Sequence, residues 1–115
     1  MKYLMMVAVD GDPDTSDAPE ASVDDWFARV TERGQWVMGE RLRPPGSATL
    51  VRVRNGETIV TDGPFAETKE WLAGFDILDC ATLDDAIQVA AAHPMARGGR
   101  IELRAFWPFE EDADA

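Results

Sequence analysis

Residues 22–42 read SVDDWFARVTERGQWVMGERL. Ser22-Val23-Asp24-Asp25 is a capping-box start, in which the hydroxyl and the N3 carboxylate satisfy amides that the first helical turn leaves orphaned. Val23, Trp26, Phe27 and Val30 follow at i, i+3, i+4 and i+7, the spacing of one apolar stripe on a helix. Gly34 stops that helix, and Trp36 to Leu42 reads as a strand. The chain then uses the same device again. Thr82-Leu83-Asp84-Asp85 opens a helix that runs through Ile87, Ala90 and Ala91 to a stop at Pro94. Arg97-Gly98-Gly99 turns the chain, and Arg100 to Phe106 reads as a strand. Each helix has a strand before it. Lys2 to Val9 is a continuous apolar run of strand length, and Trp71 to Cys80 contains another.

A hairpin lies between the two halves. Pro44-Pro45-Gly46 breaks the chain. Thr49, Val51 and Val53 alternate with Leu50, Arg52 and Arg54, Asn55-Gly56 is a strong hairpin turn signal, and Glu57 to Thr61 returns. The order is β-α-β-(β-hairpin)-β-α-β, two β-α-β halves around one antiparallel sheet. It predicts an α+β, ferredoxin-like fold with an inserted hairpin. Residues 1–109 make a single domain and 110–115 an acidic tail expected to be disordered. Two helices on one face of such a sheet leave the other face apolar, with Met6, Val51, Val53, Ile77 and Leu103 as candidates for it. A second copy of the chain covers such a face at least cost, so a homodimer is expected.

The chain has 115 residues, enough for one domain with its own core. It carries 22 Asp and Glu against 11 Lys and Arg, a formal net charge of −11. That balance argues against nucleic acid and against an anionic membrane surface as partners. Asp10, Asp12, Asp14, Asp17 and Glu20 crowd one segment, and Glu110, Glu111, Asp112 and Asp114 the tail, where their ordinary role is solvation. Cys80 is the single cysteine, so no internal disulfide forms, which fits a reducing compartment. The Tyr3–Val9 run is too short to span a bilayer and lacks a signal-peptide cleavage pattern after it. A cytoplasmic protein is therefore expected.

The most specific stretch is residues 60–74, VTDGPFAETKEWLAG. It resembles the DGPF branch of the YCII-related family: Asp62-Gly63-Pro64-Phe65 is similar to the name-giving motif, and Glu67-Thr68-Lys69-Glu70 to the segment after it. Gly74-Phe75 and Ile101-Glu102-Leu103-Arg104 resemble two further family stretches. The resemblance implies a bacterial protein with a ferredoxin-like α+β fold, paired into a dimeric α+β barrel. It implies a mostly uncharacterised role. Some members are small-molecule enzymes thought to work with a His and an Asp, and others sit beside extracytoplasmic sigma factors. In the members with that pair the histidine lies on the first helix, which here carries none.

Asp62 and His93 are the candidate catalytic residues. Asp62 is either a turn residue that caps its own backbone or a base and orienting group at a pocket mouth. His93, the only histidine, is either a cation capping a helix end or an acid–base group. Phe65, Lys69, Trp71 and Arg104 are the candidate substrate-binding residues: Trp71 as a pocket wall, Lys69 for an anionic group, and Arg104 as a carboxylate clamp or a surface partner of Glu102. No metal site is expected. Asp10, Asp12 and Asp14 mimic the start of a calcium loop, but Thr15 and Ala21 stand where that loop needs Gly and Glu. No dinucleotide, phosphate-loop or nucleophile-elbow motif occurs, so no cofactor is expected. The leading expectation is a small-molecule-binding protein or cofactor-independent acid–base enzyme (isomerase, lyase or hydrolase-like) with a cleft near the Asp62 motif. The alternative is a non-catalytic partner-binding protein, with a link to sigma-factor regulation.

Overall fold

Strand β1, Lys2–Val9, alternates strictly, with Tyr3, Met5 and Val7 buried and Leu4, Met6 and Ala8 only half-buried. Side chains of period two point to opposite faces, so this one strand sorts the sheet into a covered and an uncovered side. The computed structural model in which this is seen describes residues 1–17, 22–63 and 71–112. After β1 come α1 (Val23–Glu32), β2 (Trp36–Arg41), a 3-10 turn at Pro45–Ser47, β3 (Thr49–Arg54) and β4 (Glu57–Asp62). The second half holds β5 (Trp71–Asp79), α2 (Leu83–Ala91), a short α3 (Met95–Gly98), β6 (Gly99–Ala105) and a terminal turn α4 (Phe109–Asp112). The acidic tail begins within α4, and residues 113–115 lie outside the described residues.

The helix starts form as their sequences dictate. The Ser22 hydroxyl accepts the Asp25 amide at 3.3 Å, and the Thr82 hydroxyl accepts the Asp85 amide at 3.1 Å. Four strands form one antiparallel sheet in the order β2-β5-β1-β6. The first strand of each half thus sits in the middle, and the last strand of each half at an edge. The result is a mixed α+β architecture around an antiparallel sheet. No helix among the described residues is long and apolar enough to cross a membrane.

The covered face holds the core. Tyr3, Met5 and Val7 of β1 and Leu78 of β5 pack with Trp26 and Val30 of α1 and Ala86, Val89 and Ala90 of α2. Ile101 and Leu103 of β6 close it from the other edge. Leu103, expected on the uncovered face, instead pairs with Met5 and so points toward the helices. Val51 and Val53 are not on that face either. Their hairpin, β3-β4, is a separate two-stranded sheet, turned at Asn55 (φ 52°) and Gly56 (φ 78°). Met6 and Ile77 do lie on the uncovered side, pairing respectively with Phe75 and Leu4.

Two bulges set what the covered face presents. Trp36 pairs with Leu78 while Met38 pairs with Ile77, so Val37 is an extra residue in β2. The bulge puts Trp36 and Gly39, three apart, on one side of the strand. Ala73 is the extra residue of β5, between the Gly74 and Leu72 pairings with β1.

Candidate functional site

Asp76 is the one carboxylate of β5 that shares a side with Leu78, and it pairs across the sheet with Met5 and Gly39. It is half-buried. Gly39 makes its position possible. A Cβ at residue 39 would run into Asp76 Oδ1 and lie 2.7 Å from the Phe75 carbonyl oxygen, so only a glycine leaves the carboxylate its place. The Trp36 indole N–H donates to Asp76 Oδ1 at 2.9 Å, fixing one oxygen. Burial raises the Asp76 pKa above the ordinary 3.8, and the Trp36 bond and the nearby His93 oppose that rise.

His93 follows α2 and is 7% exposed. Its Nδ1 accepts the Met95 amide at 3.0 Å, at the first turn of α3. An acceptor Nδ1 leaves the proton of the neutral ring on Nε2. Burial lowers the His93 pKa below 6.5, and Asp76 opposes that shift only in part. His93 is therefore not the cationic cap of α2 that its place in the sequence suggests. It is held neutral, and it caps the helix that follows it. Trp26 packs its ring edge-on to the imidazole, 4.8 Å between centroids at 73°, and its indole N–H donates to the Val89 carbonyl at 2.8 Å. One tryptophan thus ties α1 to α2 and walls His93.

These groups open onto a cavity of about 560 Å³ between α1 and the β2-β5 edge of the sheet. Val23, Trp26 and Phe27 come from α1, Trp36, Gly39, Glu40 and Arg41 from β2, and Asp76 from β5. Phe27 stands edge-on to Trp36, 4.7 Å between centroids at 80°. A cleft with aromatic walls, one carboxylate of raised proton affinity and one neutral imidazole is equipped for proton transfer. Asp76 can take a proton, and His93 Nε2–H can donate to an oxygen on which charge develops. Among the described residues, no group of three or more His, Cys, Asp or Glu is placed to hold a metal ion.

The residues singled out from the sequence are dispersed. Asp62 ends β4 opposite Thr49, is exposed and does not line the cavity. Beside it Gly63 adopts φ 94°, and its amide donates to the Ala48 carbonyl at 2.7 Å. Phe65 and Lys69 lie outside the described residues, as does all of 64–70. Trp71 opens β5 and lines a second depression of about 560 Å³ with Met6, Ala8, Leu72, Arg100, Ile101 and Glu102. Arg104 pairs with Leu4 on the uncovered side of the sheet, exposed, with no ion pair to Glu102. The structure joins His93 to Asp76, not to Asp62 or Arg104. The hairpin bearing Asp62 is a sheet of its own, and Arg104 points away from the helices. The missed residue, Asp76, had one signal: a lone carboxylate in the apolar run Phe75-Asp76-Ile77-Leu78.

The acidic segment is partly structural. Asp14 binds Arg97 at 2.8 Å and accepts the Ser16 amide at 2.9 Å, and Arg97 also donates to the Ser16 carbonyl at 2.6 Å. These bonds hold the Asp14 carboxyl down at about 2.

Among known proteins, the chain is similar over 62 residues, 54% of its length, to an uncharacterised protein of Rhizobium meliloti (strain 1021), with 50% identity. The match spans 50% of that relative's own length. The family model of the YCII-related domain matches residues 1–110, and the chain belongs to that family.

Proposed function

We propose that the cleft between α1 and the β2-β5 edge is a small-molecule site for cofactor-independent acid–base chemistry. Asp76 is the base and His93 Nε2–H the donor that steadies a developing oxyanion. The observation that carries the reading is a single one. A neutral histidine, 7% exposed, opens onto the same cavity as a half-buried carboxylate. Removal of a proton next to a carbonyl is the reaction class that uses one base and one neutral donor together. Keto–enol isomerisation and β-elimination next to a carbonyl begin with such a step. Asp62 in this reading closes the β4 turn, as a DGPF-branch signature of structural rather than chemical meaning.

The test is hydrogen–deuterium exchange at carbon, followed by NMR across a panel of small ketones and lactones. The native protein catalyses exchange on at least one, and Asp76→Asn lowers the rate by about 100-fold or more while folding normally. Equal rates in the two proteins would remove Asp76 from the chemistry.

The strand order and the two helices on one face support a ferredoxin-like assignment. In that fold the uncovered face, with Leu4, Met6, Ala8, Phe75 and Ile77 half-buried, pairs with a second copy to give a dimeric barrel. Glu102 and Arg104, which pair with Met6 and Leu4, then lie on the paired side. Sedimentation at micromolar concentration gives twice the chain mass if this is right, and a monomer if it is wrong. The hairpin supports a separate partner-binding reading. Val51, Val53 and Val60 share one face of β3-β4 and are 60%, 58% and 61% exposed. Changing all three to Thr abolishes partner capture without touching the cleft if the hairpin is a docking arm. Unchanged capture would exclude it.

A further inference from the structure

We infer that the cleft around Asp76 selects an organic cation, a protonated amine on an apolar or aromatic frame that also carries an oxygen acceptor. The inference rests on the cleft being a ligand site, as proposed above, and not on Asp76 acting as a base. Three observations point the same way.

The first is the missing counter-charge. Asp76 is half-buried, and its hydrogen bond comes from the neutral Trp36 indole. No Lys, Arg or His among the described residues forms an ion pair with it. A carboxylate drawn out of water is costly unless a positive group meets it. None of the described residues supplies it in an ion pair, and a cationic ligand would.

The second is the lining. Asp24 borders the same cavity, which thus has two carboxylates against the one guanidinium of Arg41; Glu40 also borders it but pairs with Phe75, whose side chain is on the uncovered side of the sheet. Asp24 and Arg41 are both exposed, where water screens their charges, so the half-buried Asp76 is the charge that a ligand in the cleft meets. The walls are Trp26, Phe27 and Trp36, whose ring faces attract cations. A half-buried carboxylate between aromatic walls disfavours an anion and favours a cation over a neutral ligand of equal shape.

The third is His93, independent of the acidic groups. It is 7% exposed, its Nδ1 is occupied by the Met95 amide, and its Nε2–H has no acceptor among the described residues. The ring is buried, but Nε2 is not a fully buried orphan, so it reaches the cleft, where an acceptor on a ligand can take the place of water. An ammonium group at Asp76 and an oxygen at His93 satisfy both groups at once.

The experiment is calorimetric titration of the full chain with benzylamine, benzyl alcohol and benzoate, three probes of one shape and three charges. Benzylamine, a cation at neutral pH, binds tighter than benzyl alcohol by about tenfold or more, and benzoate binds weakest. In Asp76→Asn the benzylamine affinity falls to that of benzyl alcohol, which itself changes by less than about twofold. Benzoate binding as tightly as benzylamine overturns the inference, and so does an undiminished amine preference in Asp76→Asn. Equal binding of all three, with His93 resonances shifted, removes the charge selection but keeps the cleft as a ligand site. Exchange activity on a ketone together with no binding of any probe also overturns the cation preference while sparing the acid–base reading. Should Asp76→Asn fail to fold, the ranking of the three probes on the native chain decides alone.

Discussion

Gly39→Ala tests how tightly the site is built. A Cβ there would contact Asp76 Oδ1, sit 2.7 Å from the Phe75 carbonyl oxygen and 2.9 Å from Asp76 Cγ. The side chain of Asp76 can swing away, but the backbone oxygen cannot without moving β5 from β2. Overpacking of this kind costs about 1–3 kcal/mol. Swinging Asp76 also breaks its bond with the Trp36 indole, a bond to a charged group worth about 1.5–3 kcal/mol when buried and less here, where Asp76 is half-exposed. Alanine recovers about 0.5–1 kcal/mol by restricting the unfolded chain. The net loss is about 2–3 kcal/mol. With an unfolding entropy of about 2.1 cal/mol/K per residue, 1 kcal/mol moves the melting temperature of a 115-residue chain by about 4 °C. Gly39→Ala therefore melts about 8–12 °C lower. Gly11→Ala, where a Cβ meets nothing within 4 Å, is the control and stays near the native value. Differential scanning calorimetry with tryptophan fluorescence reads both changes, since Trp36 loses its acceptor. A Gly39→Ala protein melting within about 2 °C of the native one would refute the close approach that seats Asp76.

Trp26→Phe removes the indole N–H and leaves the Val89 carbonyl buried without that donor, so urea denaturation should show a loss of about 1–3 kcal/mol. Gly63→Ala forces a side chain into φ 94° with open space around it; the loss is about 1 kcal/mol and purely conformational, and an unchanged melting temperature would exclude a strained turn. His93 has a folded pKa below 6.5, so the unfolded chain takes the proton first as pH falls. Its stabilising effect is full above 6.5 and is lost as pH drops through the window down to the folded value. Asp76, with its pKa raised, acts in the opposite sense: stability is greatest below 3.8 and declines as pH rises toward its folded value. In His93→Gln, denaturation at a series of pH values should therefore show a flatter slope just below 6.5 than the native chain, and an unchanged slope would mean that His93 is not held neutral.

Most of the fold was legible because its signals are local. Both helix starts carry a hydroxyl N-cap, the Asn55-Gly56 turn carries its own positive φ, and the continuous apolar run of β1 marks a strand, though it suggests burial on both faces where only one is covered. What was not legible depends on pairing across the sheet. The extra residue Val37 brings Trp36 and Gly39 to one side, and no pattern in residues 36–41 announces it. Leu103 was placed on the wrong face because its side is set by its register with Met5. The site shared that fate. His93 stood out as the single histidine, but its partner Asp76 looks like one residue of a strand until β2, β5 and α1 are assembled around it. The Asp62 motif is the most distinctive stretch of the chain, yet distinctive sequence and chemical position part company here, since Asp62 does not line the cavity.

In the proposed site a neutral His93, protonated on Nε2, faces the ligand cleft. The chain has one histidine, so its imidazole nitrogen-15 spectrum needs no assignment. At pH 7 the spectrum should show one unprotonated, hydrogen-bonded nitrogen (Nδ1) and one protonated nitrogen (Nε2), with the neutral form still the major one when the pH is brought to 6.5. Titration with a ligand that binds should then move the Nε2 signal. An imidazolium at pH 7, or an Nε2 signal indifferent to a ligand at saturation, would contradict the claim.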